Sequence, residues 1–246
     1  MLRKQVFTFL LFLLPVMPVL AGEVSVAVAA NFLRPLEAIV ELFEKESGHT
    51  VVLSPGSSGR LYAQIVNGAP YDVFLSADQE KPLLLSDKGL TDPASQFTYA
   101  TGTLVLWSLN ENTDPYESLR DAGINRLAVA NSRLAPYGKA AMQVLNNLGF
   151  YTVYSNKLVT GENINQVYQF VMTGNTDAGF IALSQMTAND ELPPGRGWIV
   201  PQQLHEPIRQ DAVLIDGANP TARQFFEFLK SQTVKSIVIR FGYKTD

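Results

Sequence analysis

The sequence predicts an α/β protein of two lobes, each a mostly parallel sheet flanked by helices, with a ligand cleft between them. Three observations predict it. The N-terminal part alternates strand, helix, strand, helix, strand, an order that builds a parallel sheet. The middle of the chain repeats that order. A long extended run separates the two, and two helical segments close the chain, so the polypeptide is expected to cross between lobes twice.

The elements follow in chain order. Residues 24–30, VSVAVAA, mix β-branched and small side chains, which suits a strand covered on both faces. Asn31 stands where a helix cap belongs. Phe32, Leu36, Ile39, Val40 and Phe43 recur at helical spacing, with Pro35 in the first turn and Gly48 as the stop. A strand at 51–53 leads to the run SPGSSGR, 54–60. Its helix is expected over 60–66, ending at Gly68, and a third strand over 71–76.

Residues 126–131, RLAVAN, then echo 26–31, VAVAAN. A helix follows APYG at 135–138, carrying Ala141, Val144, Leu145 and Leu148. Another opens at GENI, 161–164, and AGFIAL at 178–183 reads as a buried strand. The run FTYATGTLVLW, 97–107, is the expected outward crossing, and the return is expected near 198–201. The closing helices, 220–229 and 234–241, then pack on the first lobe. The lobes are expected to comprise 22–101 with 199–246, and 102–198. Two crossings make a hinge, and a hinge makes a cleft.

The first residues read as an export signal. Arg3 and Lys4 precede an apolar run, 6–20, interrupted by Pro15 and Pro18, and VLA at 19–21 matches a cleavage site. The run is too short for a spanning helix, which needs about 20 apolar residues. Residues 1–21 are therefore expected to be removed and the protein to be periplasmic. Of 19 Lys and Arg residues, two lie in that signal; the remaining 17 face 23 Asp and Glu, a net charge of −6. That balance argues against nucleic acid and against a polybasic membrane patch. With no cysteine and two histidines, a transition-metal cation site is poorly supplied.

Four loops share one construction: a strand end, small or polar residues, then a helix start. They are Ala30 with Asn31, the turn 56–59 with Ser57 and Ser58, the turn 135–138 with Tyr137, and the turn 162–164 with Ile164. In a parallel sheet such loops emerge at one edge, where ligands bind. Each brings unpaired N–H groups and the positive end of a helix dipole, a site for an anion without basic side chains. Gly56 and Gly59 allow close backbone approach. Ser58, Asn31 and Tyr137 add side-chain donors. Each residue also has an ordinary reading: Asn31 as a cap, the serines as turn residues, Tyr137 and Ile164 as core. The convergence of four loops favours a site.

Catalysis is less well supported. GSSG is not the G-x-S-x-G nucleophile elbow, and the loop lacks phosphate-loop spacing. His49 is expected at the opposite sheet edge and His205 in a late connection, so Ser58 lacks a base. Arg60 and Arg133 read as solvated residues.

The chain resembles the molybdate-binding proteins of bacterial ABC transporters over essentially its whole mature length. The carriers are AANF at 29–32, the run 54–65, VNGAPYDVFLSAD at 66–78, the run 97–107, APYG at 135–138, AGFIAL at 178–183 and RFGY at 240–243. The resemblance implies a type II periplasmic binding protein. It would be a monomer that closes on molybdate or tungstate, holds no other cofactor and hands its small oxyanion to a membrane ABC permease. The family's polar residue falls on Asn31, its serine on Ser58, its second-lobe contact on Tyr137 and its next backbone N–H on Ile164; Ala30 and Ser57 complete the candidate set. Better-known members have Ser where Asn31 stands and Tyr where Ala182 stands. Tyr137 would supply that phenol from another loop. Sulfate or phosphate binding, an exported serine hydrolase using Ser58, and a ligand sensor are the alternatives.

Overall fold

The structure, a computed structural model, describes residues 21–92, 94–186 and 194–245. The expected signal lies outside them except for Ala21.

The first sheet contains β1 (Glu23–Ala29), β2 (Thr50–Gly56), β3 (Val73–Leu75), β4 (Phe97–Gly102) and the late strand β10 (Ile208–Leu214). The second contains β5 (Leu104–Ser108), β6 (Leu127–Ala130), β7 (Leu158–Gly161), β8 (Ala178–Ala182) and β9 (Arg196–Ile199). Their orders are β2-β1-β3-β10-β4 and β7-β6-β8-β5-β9. In each, three strands pair in parallel and the fourth in line, β10 or β5, runs against both neighbours. Four of five strands therefore share a direction, and each reversed strand is the one that has just entered from the other sheet. The two lobes have the same construction.

Alternation explains the first sheet. Val24, Val26 and Val28 of β1 pack under α1 (Leu33–Ser47), α8 (Pro220–Phe228) and α9 (Gln232–Arg240), in one apolar cluster with Leu36, Ile39, Phe225 and Val238. Ala27 points to the other face, toward Leu61 and Ile65 of α2 (Ser58–Val66) and Leu85 of α3 (Glu80–Asp87). Pro55 sits in β2, an edge strand, where its missing N–H breaks no ladder. The second sheet is covered by α4 (Pro115–Arg120), α5 (Pro136–Asn147), the short α6 (Tyr151–Tyr154) and α7 (Ile164–Met172), around Trp107, Tyr154, Val167 and Phe180.

Both crossings exist. The run 97–107 is not one strand: it changes sheet at Thr103, between β4 and β5. The return runs from β9 through a 3-10 turn, Gln202–Leu204, into β10. Strand β10 has no counterpart in the sequence reading. Its sequence, IRQDAVL, places Arg, Gln and Asp in a strand, where they are disfavoured. Yet Gln210 and Asp211 are buried, each with hydrogen-bond partners that local pattern does not reveal.

Candidate functional site

Register brings the loops together. Ala29 pairs with Gly56 in the first sheet and Ala130 with Gly161 in the second, so the chain leaves each pair of strands side by side. The two edges face each other across a narrow cleft whose cavity volume is about 10 Å³. Ala30, Asn31, Ser57, Ser58, Tyr137 and Ile164 all line it, and none of its twelve lining residues is charged. These six are between 1% and 6% exposed, so the lobes are closed over the cleft.

Helix ends supply the donors. Ser58 and Ile164 are the first residues of α2 and α7, and Tyr137 is the second of α5; their N–H groups have no intrahelical acceptor. Neither α2 nor α5 has a side-chain cap. In α7 the Asn163 side chain takes the N–H groups of Asn165 and Gln166 and leaves that of Ile164. Helices α4, α8 and α9, which line no part of the cleft, are capped by Asp114, Asn219 and Ser231. Helices α1, α3 and α6 also lack a side-chain cap, so capping alone does not mark the site; what marks it is that the first N–H groups of α2, α5 and α7 meet at one cleft. Ser58 Oγ accepts from Ala77 N at 2.9 Å, so its proton remains free to donate.

Asn31 departs from both expectations. It does not cap α1, because a 3-10 turn, Ala30–Phe32, precedes that helix and Phe32 occupies the cap position without a side-chain bond. Its amide is not free either. Nδ2 donates to Gln210 Oε1 at 2.8 Å and to Tyr243 Oη at 2.9 Å, which uses both protons. Tyr243 in turn donates to the Asn31 carbonyl at 2.8 Å, as does Ser184 Oγ at 2.9 Å. Ser184 belongs to the second lobe's 3-10 turn, Leu183–Gln185, so this network spans the lobes. Burial, reinforced by the Tyr243 and Tyr99 phenols, holds the Tyr137 phenol well above its ordinary value. Burial likewise pushes Tyr243 up to about 12. Both phenols stay protonated donors at neutral pH.

Gly59 serves the lobe contact. Its N–H donates to Leu134 O at 2.9 Å, and a Cβ there would lie 3.0 Å from Leu134 Cα. Outside this contact Arg60 pairs with Glu162 at 3.1 Å, both side chains mostly exposed. Neither histidine is placed to equip Ser58 as a nucleophile. His49 Nδ1 accepts from Gly22 N at the far end of β1, and His205 Nδ1 faces Glu206 O at 2.7 Å. Ala182, fully buried in β8, adds no group to the lining.

The sequence reading did not foresee Gln185, Ser184, Tyr99 or Gln210. Gln185 Nε2 donates to Asn165 Oδ1 at 2.9 Å and Ile164 O at 3.3 Å, which braces the start of α7. The one local signal was a Gln–Asp pair inside an otherwise apolar run at 208–214.

The model of the bacterial extracellular solute-binding protein family matches residues 24–244. The molybdate-binding protein ModA of Azotobacter vinelandii is 46% identical over 227 residues, covering 91% of this chain and 90% of that protein. ModA of Rhodobacter capsulatus is 43% identical over 233 residues, with 94% and 91% covered. The solved structure of the Azotobacter vinelandii periplasmic molybdate-binding protein superposes with a TM-score of 0.87 at 38% identity, covering 91% of this chain and 99% of that one. These relatives are binding proteins and not enzymes. A full-length family match, a shared fold and a cleft lined with uncharged donors together establish that the chain belongs to the bacterial extracellular solute-binding proteins.

Proposed function

We propose that this protein captures molybdate, or the isosteric tungstate, in the interlobe cleft and delivers it to an ABC permease of the inner membrane. The carrying observation is the cleft itself: helix N-termini from both lobes converge on a space with no charged side chain in its lining. An ion that only accepts hydrogen bonds matches that donor set. A protonated oxyanion such as phosphate calls for an acceptor, and the lining contains no carboxylate. Half a dozen bonds to a charged group, at about 1.5–3 kcal/mol each, exceed the roughly 8–12 kcal/mol of micromolar-to-nanomolar binding before closure is subtracted. The protein's net negative charge is therefore no obstacle.

Ser58, Tyr137 and Ile164 are the proposed ligand contacts, with Ala30, Asn31 and Ser57 completing the wall. Asn31 contributes by its backbone and by holding the network. Residues 22–101 with 199–246 are the proposed first lobe and 102–198 the second; Gly102 still pairs in the first sheet and Ile199 in the second, so the sheet changes fall at Thr103 and after Ile199. The protein works as a monomer in the periplasm after removal of residues 1–21, and the permease reads the closed form. Thermal-shift measurements with molybdate, tungstate, sulfate and phosphate test this reading. Molybdate and tungstate are expected to raise the melting temperature strongly and phosphate not at all. Stabilisation by phosphate alone would overturn it.

A further inference from the structure

The closing run RFGY, 240–243, lines no part of the cleft, yet it lies where the two lobes meet. Gly242, at φ +81°, turns the chain back at the end of α9 in the left-handed conformation. Lys244 then pairs with β4 just before the sheet change at Thr103. Thr101 N donates to Lys244 O at 2.7 Å, and Lys244 N donates to Thr101 O at 3.0 Å. The segment is thus fixed to the first lobe beside a crossing. The Tyr243 ring belongs to the first-lobe core and meets Phe32 edge-on, with ring centres 5.4 Å apart. Its hydroxyl reaches the second lobe. Tyr243 Oη lies 3.0 Å from Ser184 Oγ and is hydrogen-bonded to the Tyr137 hydroxyl. The same oxygen accepts from Asn31 Nδ2 and donates to the Asn31 carbonyl. Gly242 also abuts the second lobe: a Cβ there would lie 2.9 Å from Leu183 Cδ2.

We propose that the segment 241–244 is a clasp that holds the lobes closed, with the Tyr243 hydroxyl as the group that grips the second lobe. This rests on the oxyanion reading above. Tyr243 is a positioning residue: it lies outside the cleft lining and acts by favouring the closed form. In the closed form Tyr137, Ser184 and Tyr243 are all buried, so their hydroxyls must satisfy one another. Opening the lobes parts Tyr243 from the other two, and water then satisfies all three. Removing the Tyr243 hydroxyl therefore penalises the closed form and leaves the open form nearly untouched. A ligand enters the open form and leaves only after reopening, so the penalty falls on release.

Stopped-flow association and release of molybdate test it. Tyr243→Phe keeps the ring against Phe32 and removes only the hydroxyl. It is expected to speed release about tenfold and to leave association within about twofold of native. Ser184→Ala, from the other lobe, is expected to speed release about threefold. The two share one contact, so the double variant should fall short of the product of the single effects by about twofold or more. Unchanged release, a loss carried by association, or single effects that simply multiply would overturn the clasp. Should Tyr243→Phe fail to fold, Ser184→Ala decides alone: faster release with native association supports the clasp, and unchanged release overturns it. Failure of the native protein to bind molybdate would instead overturn the oxyanion reading on which the clasp stands.

Discussion

Ser58 shows how one atom does two jobs. Its oxygen accepts the buried Ala77 N–H, and its proton is left for the cleft. Ser58→Ala is expected to weaken oxyanion binding by about 1–3 kcal/mol and also to lower the melting temperature, because Ala77 loses its acceptor. Calorimetry and a thermal melt separate the two effects; undiminished affinity would place the proton elsewhere. Gly102→Ala belongs to the same scale. The added methyl meets the Tyr137 hydroxyl, so overpacking of about 1–3 kcal/mol and displacement of that phenol are expected together, read as weaker binding and a lower melting temperature. Alkaline pH acts on the buried phenols in a defined direction. Burial raises Tyr99, Tyr137 and Tyr243 above 10.0, so their contribution to stability is complete below that value and is lost as pH rises through the folded-state values. At this scale the residues that line the cleft were legible, but their partners were not. Asn31 meets residues 179 and 212 positions away, and no local spacing records such a contact.

Helix ends and strand ends carry the site. The sequence shows small residues before α2 and α5, where no side-chain cap takes the first N–H groups; α7 is capped by Asn163, which takes the N–H groups of Asn165 and Gln166 and leaves that of Ile164. These strand–loop–helix joints were readable because each is local. Strand β10 was not, because its identity depends on partners in β4 and α5 that satisfy Gln210 and Asp211. The single run at 97–107 was read as one element because its apolar pattern continues through the sheet change at Thr103. Across the mouth, the Arg60–Glu162 pair joins α2 to the loop before α7. Both groups are mostly exposed, so the pair is worth at most about 1 kcal/mol. Arg60→Gln is expected to speed ligand release by no more than about fivefold in low salt, with the difference vanishing in high salt. Stopped-flow release at two ionic strengths measures it; a large, salt-independent effect would make Arg60 a ligand contact.

At the scale of the whole molecule, two sheets of identical order are joined twice and closed on each other, with the cleft at the seam. The repeated element order and the two crossings were legible from the sequence, since both follow from strand and helix periodicity. The closure was not, because it depends on matching surfaces: Gly59 against Leu134, and Ser184 against the Asn31 carbonyl. Closure gives uncharged dipoles their strength, since removing water from around the ion raises the value of every bond to it. A site of this kind exchanges no proton when it fills, because its donors stay protonated and its ligand arrives fully ionised. Calorimetric titration of the native protein with molybdate near neutral pH, in two buffers of different ionisation enthalpy, measures that directly. The expected result is tight one-to-one binding with the same heat in both buffers. No binding, or a heat that tracks the buffer and so reports a proton taken up or released, would contradict the claim that neutral donors alone hold a fully ionised anion.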